Sequence, residues 1–187
     1  MRSTLPLFAV ALTAPAPALA GEVVPVPRFS AIELRGGGNV MVAPGPFERV
    51  TIVEGSSRFT HLHVDRRGSL KIDTCNENCP HFYRLRIEIQ SPRVPALAVS
   101  GGGAISVAPG FASQPEITAA VQGGGRVDTR AIEGIDVSAA VQGGGELLVR
   151  ARSNLSGAVS GGGLVRYWGN PQVSSAINGG GSIQPGH

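Results

Sequence analysis

The chain has 187 residues, 42% of them hydrophobic, with 16 Lys+Arg against 13 Asp+Glu and a formal net charge of +3. Its basic residues never run longer than two and its aromatics are one Trp, two Tyr and six Phe, so it lacks the basic, aromatic-laced stripe of a nucleic-acid binder. No stretch past the N-terminus reaches the roughly 18 apolar residues of a membrane-spanning helix, and the length suits a single domain with its own core.

Residues 1–20 read as a signal peptide. Arg2 supplies the positive start, Leu5 to Leu12 the apolar run, and Ala18-Leu19-Ala20 the small-residue cleavage site, making Gly21 the expected mature N-terminus. No cysteine follows that site, so no lipid anchor is expected there. The expectation is an exported protein of the periplasm, the cell surface or the outside, with no transmembrane segment in the mature chain.

Residues 21–93 form the less regular part of a single domain expected over 21–187. Ser30-Ala-Ile-Glu-Leu, Val40-Met-Val, Arg49-Val-Thr-Ile-Val, His61-Leu-His-Val, Ser69-Leu-Lys-Ile-Asp and Tyr83-Arg-Leu-Arg-Ile-Glu-Ile all alternate apolar and polar, the period of a half-buried strand. Arg66-Arg67-Gly68 signals a tight turn, hence a hairpin between two of them. Cys75 and Cys79 enclose three residues. In an oxidising compartment they read as a disulfide that closes a loop tip and contributes only about 2 kcal/mol by chain entropy. The competing reading joins them to His61, His63 and His81 as a zinc set. That spacing matches no standard finger, so neither a metal nor a cofactor is expected.

Residues 94–187 are regular repeats, introduced by Ser91-Pro-Arg-Val-Pro. Gly-Gly-Gly begins at residues 36, 101, 123, 143, 161 and 179; the last five are spaced by 22, 20, 18 and 18, and the first gap, 65, is about three such steps. A period near twenty points to stacked coils, each burying its apolar face against its neighbours, with three coils' worth of sequence between the first triplet and the rest. Two residues before each triplet stand Leu34, Val99, Val121, Val141, Val159 and Ile177; four after its first glycine stand Val40, Ile105, Val127, Leu147, Val165 and Ile183. Equal parity puts these columns on one inward face, giving strand, glycine corner, strand. The fold expected is all-β, β-helix or β-solenoid-like, with Gly-rich corners. The triplets lead into strands and no Lys follows, so they read as corners rather than phosphate loops.

With these residues in view, the chain resembles the putative auto-transporter adhesin head GIN domain family. The resemblance is carried by Phe29-Ser-Ala-Ile-Glu-Leu, Leu85-Arg-Ile-Glu-Ile, Val94-Pro-Ala-Leu-Ala-Val-Ser-Gly-Gly-Gly and the repeats ending at Asn178-Gly-Gly-Gly. It implies a β-helix-like fold over the mature chain and supplies no catalytic residues.

Three outward features remain. The column Arg35, Ser100, Gln122, Gln142, Ser160 and Asn178 is suited to coil-to-coil hydrogen bonds. Ala98, Ala120, Ala140, Ala158 and Ala176 with neighbouring Ser and Thr make a bland face, expected either to lie under residues 40–93 or to serve as a homo-oligomer contact. Trp168, Arg150 and Arg130, with Asp128 nearby, line up as a sugar- or peptide-contact patch, whose plainer reading is that Trp168 and Tyr167 cap the terminal coils. A carbohydrate-active β-helix enzyme is the alternative function, but it needs paired carboxylates, and Asp128, Asp136 and Glu146 suggest no stacked acid pair. No Ser-His-Asp set is visible either. The sequence therefore favours a non-enzymatic envelope or surface module for binding or adhesion, its partner an envelope polysaccharide or protein.

Overall fold

The computed structural model describes residues 21–75 and 78–187; the expected signal peptide over residues 1–20 lies outside the described residues. The described chain is all-β, with sixteen strands and no helix, and so contains no helix long and apolar enough to cross a membrane. In chain order the strands are β1 Glu22–Val24, β2 Ala31–Gly36, β3 Asn39–Pro44, β4 Arg49–Glu54, β5 His61–Val64, β6 Ser69–Asp73, β7 Arg86–Ser91 and β8 Ala96–Gly101. Then follow β9 Ala104–Val107, β10 Gln114–Gly123, β11 Arg126–Asp128, β12 Gly134–Gly143, β13 Glu146–Ser160, β14 Leu164–Trp168, β15 Gln172–Asn178 and β16 Ser182–Pro185.

The strands pair in two ladders that share the long strand β13. One runs β1-β4-β7-β3-β9-β11-β13-β14-β16; the other runs β5-β6-β2-β8-β10-β12-β13-β15. From β8 onward every pairing is parallel and in register on the glycine triplets, for example Gly123 with Gly101 and with Gly143. Each repeat thus adds one strand to each ladder, and its glycine corner carries the chain between them.

The two apolar columns meet in one core. Leu34, Val99, Val121, Val141 and Val159 from one ladder, and Val40, Ile105, Val127, Leu147 and Val165 from the other, are each at most 2% exposed and belong to one buried cluster. Burying such a side chain stabilises by about 1.5–3 kcal/mol, which makes the column the main source of stability in each repeat. Thr129 is the polar member of a neighbouring inward column. Its hydroxyl and its N–H both donate to the Leu148 carbonyl, which satisfies the group in place. At the last strands the core thins: on β15 Val173 is 40% and Ile177 48% exposed, while Ile183 on β16 is partly buried against the cluster.

The sequence spacing misleads at the first triplet. Gly36 stacks directly on Gly101, with no coil between them, and the Gly102 and Gly103 N–H groups both donate to the Gly36 carbonyl. The 65-residue gap instead wraps the far side of the β2–β3 unit. There β6 and β7 pair in parallel with β2 and β3, after which the chain reverses: β4 is antiparallel to β7, β5 to β6, and β1 to β4. This reversal explains the different rhythm of residues 21–93. The expected hairpin is present. Asp65 braces its turn by accepting from the Arg67 and Ser69 N–H groups at 2.9 and 3.0 Å, while Gly68 takes φ +76°.

The three glycines of a corner do three different things. Gly123 has φ +108°, and a Cβ there would lie 2.8 Å from the Gly101 carbonyl oxygen of the preceding coil. A Cβ on Gly125 would lie 2.5 Å from Val99 Cγ1 in the core, whereas one on Gly124 would meet nothing within 4 Å. The same division recurs at the triplets starting at 101, 143, 161 and 179. Gly123→Ala is therefore expected to cost at least about 1–2 kcal/mol from the backbone conformation alone, with the coil contact adding to it. Gly124→Ala should stay within about 0.5 kcal/mol of the parent. Urea unfolding of the two variants checks this, and equal losses would contradict the assignment.

Candidate functional site

Arg130, Arg150 and Trp168, aligned by the repeat, do come together. Arg150 is the register partner of Trp168 across β13 and β14, and the Arg130 guanidinium carbon lies 5.1 Å from the Trp168 ring centroid. With Ser106, Asp128 and His187 these residues line an open depression of about 390 Å³. Asp128 organises it: its carboxylate accepts from Arg130 Nε at 2.9 Å and Nη2 at 2.6 Å and lies 3.8 Å from Arg126. Partial burial opposes ionisation of Asp128, but the hydrogen bonds and charge of Arg130, with Arg126, outweigh it and hold the carboxyl below its ordinary value. Arg150 has no ion pair among the described residues and is exposed.

Trp168 is partly buried, in keeping with a capping role, and its neighbour Tyr167 packs against the core cluster. Gly186 was not singled out in the sequence. A Cβ at that position would collide with the Trp168 indole, so the glycine is what lets the chain pass the ring, and its N–H donates to the Tyr167 carbonyl at 2.7 Å. The signal was available, because Arg130, Arg150, Trp168 and Gly186 all stand seven residues after the first glycine of their triplets.

The Ala face is open. Ala98, Ala120, Ala140, Ala158 and Ala176 floor a shallow groove of about 630 Å³ that runs from Glu33 to Asn178. Residues 40–93 do not cover it, because they extend the two ladders at the other end instead of folding across this face. Beside it the polar column forms the expected rung, with Gln122 Nε2 donating to Gln142 Oε1 at 3.3 Å.

Cys75 and Cys79 form the expected disulfide, so neither is available to a Cys/His zinc set. One reading of chemistry needs correction. A stacked acid pair does exist: Glu116 and Asp136 are register partners on β10 and β12, each seven residues before a triplet. Both are exposed; Asp136 accepts from Asn154 at 2.7 Å and Glu116 from Thr118 at 3.4 Å. Exposed carboxylates of this kind lack the contrasting environments that set one acid and one base apart in a glycosidase. His61 and His63 share a face of β5, as the alternation implied, and the hairpin register places Asp73 opposite His61.

Residues 109–171 match the family model described as "Putative auto-transporter adhesin, head GIN domain", the family that the sequence resembles. Among solved structures, a putative adhesin from Bacteroides fragilis is similar with TM-score 0.52 and 16% identity, over 88% of this chain and 95% of that one. A putative adhesin from Parabacteroides distasonis gives TM-score 0.43 at 16% identity, over 89% and 96%. A putative lipid binding protein from the same organism gives 0.35 at 15%, over 89% and 96%. No curated protein matches. The first of these likenesses supports the fold.

The Asp128 carboxyl sets the acid limit of the patch. Because its value is lowered on folding, its contribution is fully present above the ordinary aspartate value near 3.9 and is lost as pH falls through the lower folded value. Trp168 is the only tryptophan of the chain, so its emission reports the patch directly. The emission should change in acid below about pH 4 and lose that acid step in Asp128→Asn. Persistence of the step in the variant would remove Asp128 from this role.

Proposed function

We propose that the chain is an exported, non-enzymatic β-solenoid module, one domain from Gly21 to His187, that binds an envelope polysaccharide or protein partner at the cell surface or in the periplasm. The observation that carries this reading is the depression lined by Arg130, Arg150 and Trp168, in which Asp128 fixes Arg130 against the indole and leaves Arg150 free to pair with an anion. An aromatic ring beside an unpaired guanidinium suits a carboxylate-bearing saccharide or an acidic peptide segment. The Cys75–Cys79 disulfide and the adhesin family matched over residues 109–171 support a location outside the cytosol.

Purified anionic envelope polysaccharide titrated into the mature chain provides the test. Arg150→Ala should keep the unfolding midpoint of the parent while weakening binding at least about tenfold, since a charge-assisted contact is worth about 1.5–3 kcal/mol. The parent affinity should fall with salt. Trp168→Ala should keep the fold and lose the ligand; an unfolded Trp168→Ala together with unaltered binding by Arg150→Ala would leave Trp168 a cap and refute the site.

The uncovered Ala98–Ala176 groove is proposed as a homo-oligomer contact, because flat small-residue faces let backbones of two copies approach closely. Light scattering at high concentration should then show a dimer that Ala140→Glu disperses; a monomer at all concentrations excludes it.

A further inference from the structure

The hairpin β5–β6 carries a cluster that the binding patch does not use. His61 and His63 stack with ring centroids 4.8 Å apart at 27°, and Asp73 faces His61, its Oδ2 lying 3.9 Å from His61 Nδ1. One ligand atom from each of the three residues, an imidazole nitrogen of each histidine and a carboxylate oxygen, falls within 4.8 Å of the others. The Nδ1 atom of His63 is shielded from solvent and has no hydrogen-bond partner, a costly state for an imidazole nitrogen. From these observations we infer that His61, His63 and Asp73 form a binding site for a divalent transition ion of the zinc type, independent of the patch around Trp168.

The donor set fits that class of ion. Two imidazoles and one carboxylate are borderline ligands, and three protein ligands leave a fourth position for water or for a partner. Zn–N and Zn–O bonds of about 2.0–2.2 Å hold ligand atoms about 3.4 Å apart in a tetrahedron, so the side chains close by little more than 1 Å. Side-chain rotation on the half-exposed His61 supplies this.

The scaffold beneath the site is fixed. The buried Thr60 hydroxyl, next to His61, donates to the Thr74 carbonyl at 3.2 Å, and the Thr74 hydroxyl, next to Asp73, donates to the Arg35 carbonyl at 3.0 Å. The two oxygens of Asp73 are divided: Oδ1 faces Arg35 at 3.7 Å, and Oδ2 faces the histidines. Lys71, opposite His63, is drawn off by Glu33 and by Asp65 at 3.6 Å. Against Arg35 and Lys71 stand three carboxylates, Glu33, Asp65 and Asp73, so the neighbourhood tolerates a cation.

The test is a titration of the oxidised, chelator-treated mature chain with zinc chloride, followed by NMR of the histidine rings. The site predicts one equivalent of zinc that moves the His61 and His63 ring signals and leaves those of His81 and His187 in place. His63→Ala and Asp73→Asn should each weaken zinc binding at least about tenfold, the lower end of what even an outer-shell change costs. Because the wild-type ring signals are read directly, a variant that fails to fold does not obscure the result. Shifts confined to His81 or His187, wild-type affinity in a His61→Ala/His63→Ala variant, or no shift at millimolar zinc would overturn the assignment.

Discussion

Everything in this protein depends on how closely two successive repeats approach at a glycine corner. From Gly101 onward, the first glycine of each triplet sets its backbone against the carbonyl of the glycine one repeat before it, at a separation that leaves no room for a Cβ. Hydrogen bonds such as Gly124 N–H to Gly101 and Gly144 N–H to Gly123 run through the same points. Because the corners stack without side chains, both ladders stay in register, and the apolar columns on either side pass from coil to coil as one core. A bulkier corner would spread the coils and break the two ladders at once.

The surface follows from this alignment. Where columns place polar residues in register, complementary groups meet: Gln122 reaches Gln142, Arg126 meets Glu146 at 2.6 Å, and Asn154 meets Asp136. The patch at Arg130, Arg150 and Trp168 is the same phenomenon at a column whose members differ, so a positive and an aromatic group sit side by side. Arg150 and Trp168 are brought together by register on β13 and β14, whereas Arg130 stands in the turn after β11 and is fixed by Asp128.

Much of this was legible in the sequence because the glycine spacing acts as a ruler. Counting from it placed Leu34, Val99, Val121 and their partners inside and Arg130, Arg150 and Trp168 in line. The same ruler, applied seven residues upstream, finds Glu116 beside Asp136, because β10 and β12 run ten residues back from the corner. The stacking of Gly36 on Gly101 was not legible, since no local pattern says whether a long insertion continues the stack or doubles back around it. Nor was the approach of Asp73 to His61, which depends on the register of a hairpin, though the Asp65–Gly68 turn fixes that register once it is recognised.

The doubling back has a consequence for the order in which the protein assembles. The strands β2 and β3 are held between β6 and β7 on one side and β8 and β9 on the other, so the first corner made by the chain is flanked by segments made well after it. Closing the 65-residue loop between Gly36 and Gly101 costs about 1 kcal/mol more entropy than closing a 20-residue repeat. Later repeats need only short closures and add by propagation. The closure that costs the most chain entropy is thus placed at the irregular end, while each repeat from β8 onward needs only a short one.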